Sequence, residues 1–277
     1  MAAHPQTDPP APDLPPAQPA LTPRRFRASR TIAALMLREM TTTYGRTPGG
    51  YLWALLEPVI GIALLTVVFS AALRSPSLGT SFGFFYATGY LPFVLYVQVS
   101  NRTARSLKFS RQLLRYPAVR YTDAIIARFL IALLTHIAVS ALLLWVIMTG
   151  FRVDTILDLR PVITAFALAA LVGLGVGTLN CYLVTRFPLW DSMWSIFTMP
   201  LFILSAVLYI YEDAPRQFAA VLWFNPLSHV TGLCRSGFFP TYEASYVSVP
   251  YVAGFGALTL AAGLMVLNRH YRQLLNL

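Results

Sequence analysis

From Tyr51 onward the chain alternates long apolar runs with short polar breaks. Five runs, Tyr51–Leu73, Phe82–Ser100, Ala124–Thr149, Pro161–Thr185 and Val249–Asn268, each hold about the 20 mostly apolar residues that an α-helix needs to cross a bilayer. A sixth, Leu189–Tyr211, has the length but is interrupted by Asp191 and Pro200. Tyr and Trp gather near the ends of these runs, where amphipathic rings sit at the headgroup level. A further apolar stretch, Phe218–Phe239, holds Asn225-Pro226 near one end, Gly232 and Gly237 inside, and Pro240 just beyond. So many breakers suit two short half-helices that dip in and return on one face. That shape survives in a membrane only where protein or a cavity satisfies the freed backbone. The pattern predicts an all-α integral membrane protein with six transmembrane helices and a re-entrant helical hairpin before the last span.

Ahead of the first span, Ile32, Leu35, Met36 and Met40 recur at helical spacing, with Glu39 intruding on their face and Leu37 off it. This predicts an amphipathic helix on the membrane surface from Ser29 to Thr43, broken by Gly45, Pro48, Gly49 and Gly50. The first 23 residues hold eight of the twenty prolines and too little apolar surface to fold. No basic start followed by a short apolar run marks a cleaved signal peptide. The expected organisation is a disordered proline-rich tail over 1–28, an interfacial helix and turn over 29–50, and a transmembrane domain over 51–277.

Composition sharpens this. Hydrophobic residues make up 56% and charged residues only 12%, against roughly 25% charged in soluble domains, which argues against a water-soluble enzyme. A net charge of +10 raises nucleic acid as a partner, but the charge follows the topology. With six spans, fifteen of the 21 Lys+Arg fall on the side of the N-terminus, the 101–123 loop, the 186–191 turn and the C-terminus. Five fall opposite: Arg74, Arg152, Arg160, Arg216 and Arg235. The positive-inside rule then places both termini in the cytoplasm, and no nucleic acid is needed. A full crossing by Phe218–Phe239 would strand Arg269 and Arg272 outside.

Motifs narrow the chemistry further. The single lysine, Lys108, follows Leu107, so the phosphate-cradling Gly-x-x-x-x-Gly-Lys-Ser/Thr loop is missing. Gly173 and Gly177 lie inside an apolar run, which points to close helix packing rather than dinucleotide binding. The four histidines have no metal-ligand spacing, and Cys181 and Cys234 fall on opposite sides of the membrane, so neither a metal site nor a disulfide is expected. Within spans stand Glu57, which is either a boundary carboxylate or a transport group, His136, which is either packed or channel-lining, and Arg128, which snorkels to the cytoplasmic surface. An ion-coupled secondary transporter needs coupling-ion ligands at the midplane, and no set of several carboxylates stands there. A membrane-embedded glycosyltransferase or hydrolase needs clustered carboxylates or a metal, and the pair Asp154 with Asp158 stands alone on its outer loop.

Three segments carry a resemblance. They are Arg38-Glu39-Met40 through Tyr44-Gly45-Arg46 to Gly50–Pro58; Leu113–Val119 with Asp123 and Ala127-Arg128; and Asn225-Pro226-Leu227 with His229 and Arg235. In order and spacing, residues 30 to 277 resemble the membrane subunit of ABC-2 type exporters, above all those exporting capsular polysaccharide from Gram-negative bacteria. Exporters of O-antigen or teichoic acid share much of the pattern. The resemblance implies a permease subunit of the inner membrane that is not itself an enzyme. It implies a homodimer paired with two copies of a separate ATPase, which carries the ATP and Mg²⁺, so that this chain holds no cofactor. It further implies a lipid-linked polysaccharide substrate, a periplasmic adaptor, an outer-membrane exporter and contact with membrane lipids. Gln112–Tyr121 becomes the segment coupled to the ATPase, through Leu114, Arg115, Tyr116, Pro117, Val119 and Arg120. Asn225, Pro226, His229 and Arg235 belong to the re-entrant segment. Tyr86, Tyr90, His136, Trp223 and Phe224 are the candidate channel residues, since flat ring faces stack on the apolar faces of sugars.

Overall fold

The computed structural model describes residues 27–44, 49–115, 119–151 and 155–275. The expected tail over 1–28 falls almost wholly outside these residues. Among the described residues there are ten α-helices and no strand. They are α1 (Arg27–Glu39), α2 (Gly50–Ala72), α3 (Phe82–Ala104), α4 (Ser106–Ser110), α5 (Tyr121–Gly150), α6 (Leu159–Arg186), α7 (Trp190–Leu204), α8 (Arg216–Phe224), α9 (Pro226–Phe238) and α10 (Val249–Leu275). Five of them, α2, α3, α5, α6 and α10, are long and apolar enough to cross a membrane.

The centre of the bundle is α3. It packs against α2, α5, α6 and α9, while α10 lies along α6. Missing side chains explain the closeness of α3 and α6: a Cβ at Gly177 would stand 2.7 Å from the Ser100 carbonyl, and one at Gly173 3.0 Å from that of Tyr96. The two glycines singled out in sequence thus serve helix packing, as expected. The helices α2, α3, α5 and α6 alternate in direction and α10 runs beside α6 in the same sense, with Gly256 against Leu171 and Gly263 against Leu179, so the bundle has two ends. One end holds α1, α4 and the described residues between α4 and α5. The other holds the α8–α9 pair and the loops after α2, α5 and α7.

The sixth apolar run does not form one long helix. Its helix, α7, has 15 residues, about 22 Å of rise, and none of them is buried. After Leu204 the backbone leaves the helix, and Ala206 takes a left-handed φ of 52°. This unwound segment lies in the interior, with Ser205, Ala206 and Val207 all at 1% exposure or less. Its carbonyls therefore need partners. Arg235 of α9 supplies them: Nη1 donates to the Ala206 and Tyr209 carbonyls and Nη2 to that of Val207, each at 2.7 Å. The guanidinium also covers the Phe85 ring at 4.2 Å, so its remaining faces meet π-electrons rather than water. Thr231 donates to the Ser205 carbonyl at 2.8 Å, and the Asn225 amide to that of Leu204 at 3.0 Å. The chain breaks where three polar side chains are waiting to close it.

Gly89 makes room for this arrangement, because a Cβ there would stand 2.7 Å from Arg235 Nη2. A Gly89→Ala variant is expected to push the guanidinium off its carbonyls. It should lower stability in detergent by about 2 kcal/mol, one to two charged hydrogen bonds. Thermal unfolding measures this, and an unchanged midpoint would contradict it.

Candidate functional site

At the α1 end, charges and one ring link four elements. Glu39, only 2% exposed, lies on the protein-facing stripe of α1 with Leu35, while Met40 faces outward. Its carboxylate stands 3.0 Å from Nε of Arg128 on α5, an ion pair enclosed on both sides. Arg128 donates from Nη1 to the Arg105 carbonyl at 3.1 Å and lies over the Phe109 ring of α4 at 4.4 Å. Arg105 in turn pairs with Asp191 at the start of α7 at 3.1 Å. The sequence expectation for Arg128 needs correction: it does not snorkel, because a carboxylate and a ring hold it inside. Glu39 does lie on the inward face of α1 with Leu35, as the sequence indicated, and its partner lies beneath it. The two opposite charges, each in an otherwise apolar setting, were the signal for the pair.

The expected coupling segment lies beside this network. Leu114 is buried and joins Leu107, Ala124, Ile125, Cys181 and Leu267 in a small core, with Val119 packed against it. Arg115 closes a short 3-10 turn, and exposed Arg120 precedes α5, where its N–H donates to Asp123 Oδ2 at 3.2 Å. Tyr116 and Pro117 lie outside the described residues. Leu114 and Val119 thus face inward as anchors, so any partner would meet the exposed parts of the loop.

At the opposite end the structure gathers the residues of the third sequence segment. Asn225 caps α9, its side chain accepting from the Leu227 N–H at 3.0 Å, and Pro226 occupies the first turn, where no N–H is needed. His229 Nδ1 accepts from the Ser248 N–H at 3.2 Å, which assigns the ring proton to Nε2, 2.7 Å from the Trp223 carbonyl. Trp223 stacks on Tyr251 with centroids 5.1 Å apart, and Tyr211 stacks on Tyr246 at 4.0 Å. Tyr242 donates to Glu212 at 2.9 Å. Burial, then Tyr246 and the Glu212 carboxylate, hold its phenol protonated well above the ordinary value. These contacts tie α8, α9 and the loop before α10 into one unit.

The channel candidates separate. Tyr86 is 1% exposed among Phe69, Phe82 and Phe85, and His136 is 2% exposed on α5. Both lie in the interior of the single chain and line no open surface of it. Tyr90 is half-buried, edge-on to Phe202 of α7 at 6.0 Å. Trp223 is half-buried, and Phe224 is exposed at 66%. Cys181 and Cys234 are both free and buried, and among the described residues no group of three or more His, Cys, Asp or Glu could hold a metal.

The ion pair makes a clear prediction. Glu39→Ala leaves a buried guanidinium unpaired and should cost about 3 to 5 kcal/mol, whereas Glu39→Leu with Arg128→Met should restore most of it. Unfolding of the single and double variants in detergent tests this. Equal losses in all of them would show that the pair is not the source.

Comparison with known proteins gives the family. Residues 30–239 match the ABC-2 type transporter family. The chain is 31% identical to the polysialic acid transport protein KpsM of Escherichia coli over 84% of its own length and 91% of that protein. It is 26% identical to the capsule polysaccharide export inner-membrane protein CtrC of Neisseria meningitidis serogroup A, over 87% of the chain and 91% of that protein. It is also 26% identical to the capsule polysaccharide export inner-membrane protein BexB of Haemophilus influenzae, over 86% and 89%. The family match spans the α1 ion-pair residues, the expected coupling segment and the whole of α8 and α9, and the chain belongs to the ABC-2 type transporter family.

Proposed function

We propose that this chain is the permease subunit of an ABC exporter that moves lipid-linked capsular polysaccharide outward across the bacterial inner membrane, with ATP hydrolysed by a separate subunit. The observation that carries this reading is its similarity, along most of both lengths, to inner-membrane proteins named for capsule and polysialic acid export. The missing phosphate loop supports the division of labour between two polypeptides.

In this reading α2, α3, α5, α6, α7 and α10 make six spans. The unwound residues after Leu204 complete the crossing that α7 begins, and α8 and α9 form a re-entrant hairpin on the periplasmic face. The bias of Lys and Arg toward the α1 end supports cytoplasmic termini, and α1 then lies along the cytoplasmic leaflet. Two copies form the transport path. Two ATPases dock at the loop around Arg115, Tyr116, Pro117 and Arg120, with Leu114 and Val119 anchoring it. The ring of Phe109, with Arg128 and Glu39, joins that loop to α1, so a push on the loop reaches the interfacial helix. Tyr90, Trp223 and Phe224 offer ring faces to sugars, while Tyr86 and His136 support the wall from behind. A periplasmic adaptor and an outer-membrane exporter would receive the polymer beyond the hairpin.

Loss of the chain should abolish surface polymer and leave lipid-linked polymer inside the cell, read by surface and total-cell immunoblots. Unchanged surface polymer would overturn the reading. Topology is tested by an impermeant maleimide on cysteine-free protein carrying single cysteines. Replacements at the exposed Arg216 and Glu243 should react in cells whose outer membrane alone is permeabilised. One at Gln273 should react only after the inner membrane is opened. A reactive Gln273 position with a silent Glu243 position would mean that the hairpin crosses. A Pro117→Leu variant that assembles with its ATPase should lose export, and normal export by it would remove the docking assignment.

A further inference from the structure

Glu57 presents a problem that the fold alone does not solve. It lies seven residues into α2, about 10 Å along an apolar helix, and its carboxylate is exposed on the surface of the chain. Gln98 of α3 reaches across and donates from Nε2 to both carboxylate oxygens, at 2.9 and 3.0 Å. Among the described residues no Lys or Arg forms an ion pair with it. A carboxylate held by one neutral amide and open on its other side is costly against lipid tails, so spans keep such groups for interior or water-filled surfaces. One turn along the same face of α2, Gly61 leaves space that the Tyr90 hydroxyl fills, and a methyl there would collide with it. Tyr90 and Phe93 of α3 both meet the Phe202 ring edge-on, at 6.0 and 5.2 Å. The result is one surface with the carboxylate and amide at one height and the half-buried rings of Tyr90 and Phe202 beside them, Phe93 being enclosed behind.

We infer that Glu57 and Gln98 form a sugar-hydroxyl subsite on the wall of a water-filled path, and that the ligand is the polyhydroxylated backbone of the exported polymer. This rests on the proposed export function and adds a binding role to it. The carboxylate oxygens have lone pairs left after the Gln98 contact, and a sugar hydroxyl is a donor of matching size. Gln98 keeps the carboxylate from swinging into the helix, and the adjacent rings offer apolar faces for the ring carbons. Because the carboxylate accepts and does not donate, the subsite favours hydroxyl-rich stretches of polymer over those presenting their own carboxylates.

The test places a cysteine at Glu57 in otherwise cysteine-free protein, co-expressed with its ATPase, in cells that make the polymer and in cells lacking its glycosyltransferases. A small water-soluble methanethiosulfonate should modify the position in both, at least threefold more slowly where polymer is made. Spontaneous disulfide between two copies without modification would make this a dry contact between copies, and would overturn the inference. No modification and no disulfide would place it against lipid, and would overturn it equally. In parallel, Glu57→Leu should reduce export roughly tenfold at unchanged assembly, the effect of about one charged hydrogen bond, while Glu57→Gln, which still accepts, recovers most of it. Equal export by the leucine variant would also sink the subsite. Export that survives loss of the partner ATPase would instead undo the functional reading and leave the labelling result standing.

Discussion

Everything in this chain depends on one requirement: a backbone that leaves the helix inside an apolar layer must have its polar groups met from within the protein. The long helices satisfy the requirement by themselves. The segment after Leu204 does not, and Arg235 stands where its carbonyls converge, with Nη1 and Nη2 each 2.7 Å from their acceptors. Gly89 yields the space, Phe85 covers the cation, and Asn225 and Thr231 take the neighbouring groups. A short α7, a left-handed Ala206 and the α8–α9 break at Asn225-Pro226 can then coexist. Without the arginine the Ala206, Val207 and Tyr209 carbonyls would lose the partner they have in the interior.

The same requirement, applied to charges, separates the two ends of the bundle. At the α1 end Glu39 and Arg128 neutralise each other in an enclosed site, and the Phe109 ring lies against the cation. That pair fixes α1 to α5 and α4 beside the loop assigned to the ATPase. An enclosed pair adds little net stability, but removing one partner leaves the other charge buried and uncompensated. At the other end the buried cation Arg235 is met by neutral carbonyls rather than by a carboxylate; His229 uses one nitrogen for the Ser248 amide and the other for the Trp223 carbonyl, and stacked rings tie α8 and α9 to the loop before α10. Glu57 is the exception to both patterns: its carboxylate is exposed on an apolar helix and is met by the Gln98 amide.

Much of this was legible in the sequence. The long apolar runs at α2, α3, α5, α6 and α10 are single-helix signals of about 20 residues or more, and their bounds lie within four residues of the observed ends except that α10 continues past Asn268 to Leu275. The breakers at Asn225-Pro226 marked the junction of α8 and α9, since proline lacks the donor that an uninterrupted helix would need. Two kinds of information were not available. Pairings between distant residues, Glu39 with Arg128 or Gln98 with Glu57, depend on how helices cross, and a linear pattern gives only that each residue is unusual where it stands. The end of α7 at Leu204 was equally hidden, because nothing in Ser205–Ile210 breaks a helix; tertiary partners draw it out. Aromatic residues were the least readable, as Tyr86 and Tyr90, one turn apart, are respectively enclosed and partly open.

The central claim is that this bundle passes a polysaccharide outward under the power of a separate ATPase. Inverted inner-membrane vesicles containing the chain, its ATPase and labelled lipid-linked polymer give the most direct test, because outward export becomes movement into the lumen. On adding ATP, polymer should become protected from an added glycosidase, and a hydrolysis-deficient ATPase should abolish that protection even with a proton gradient imposed. Protection that develops with the gradient alone, in the absence of ATP, would contradict the account.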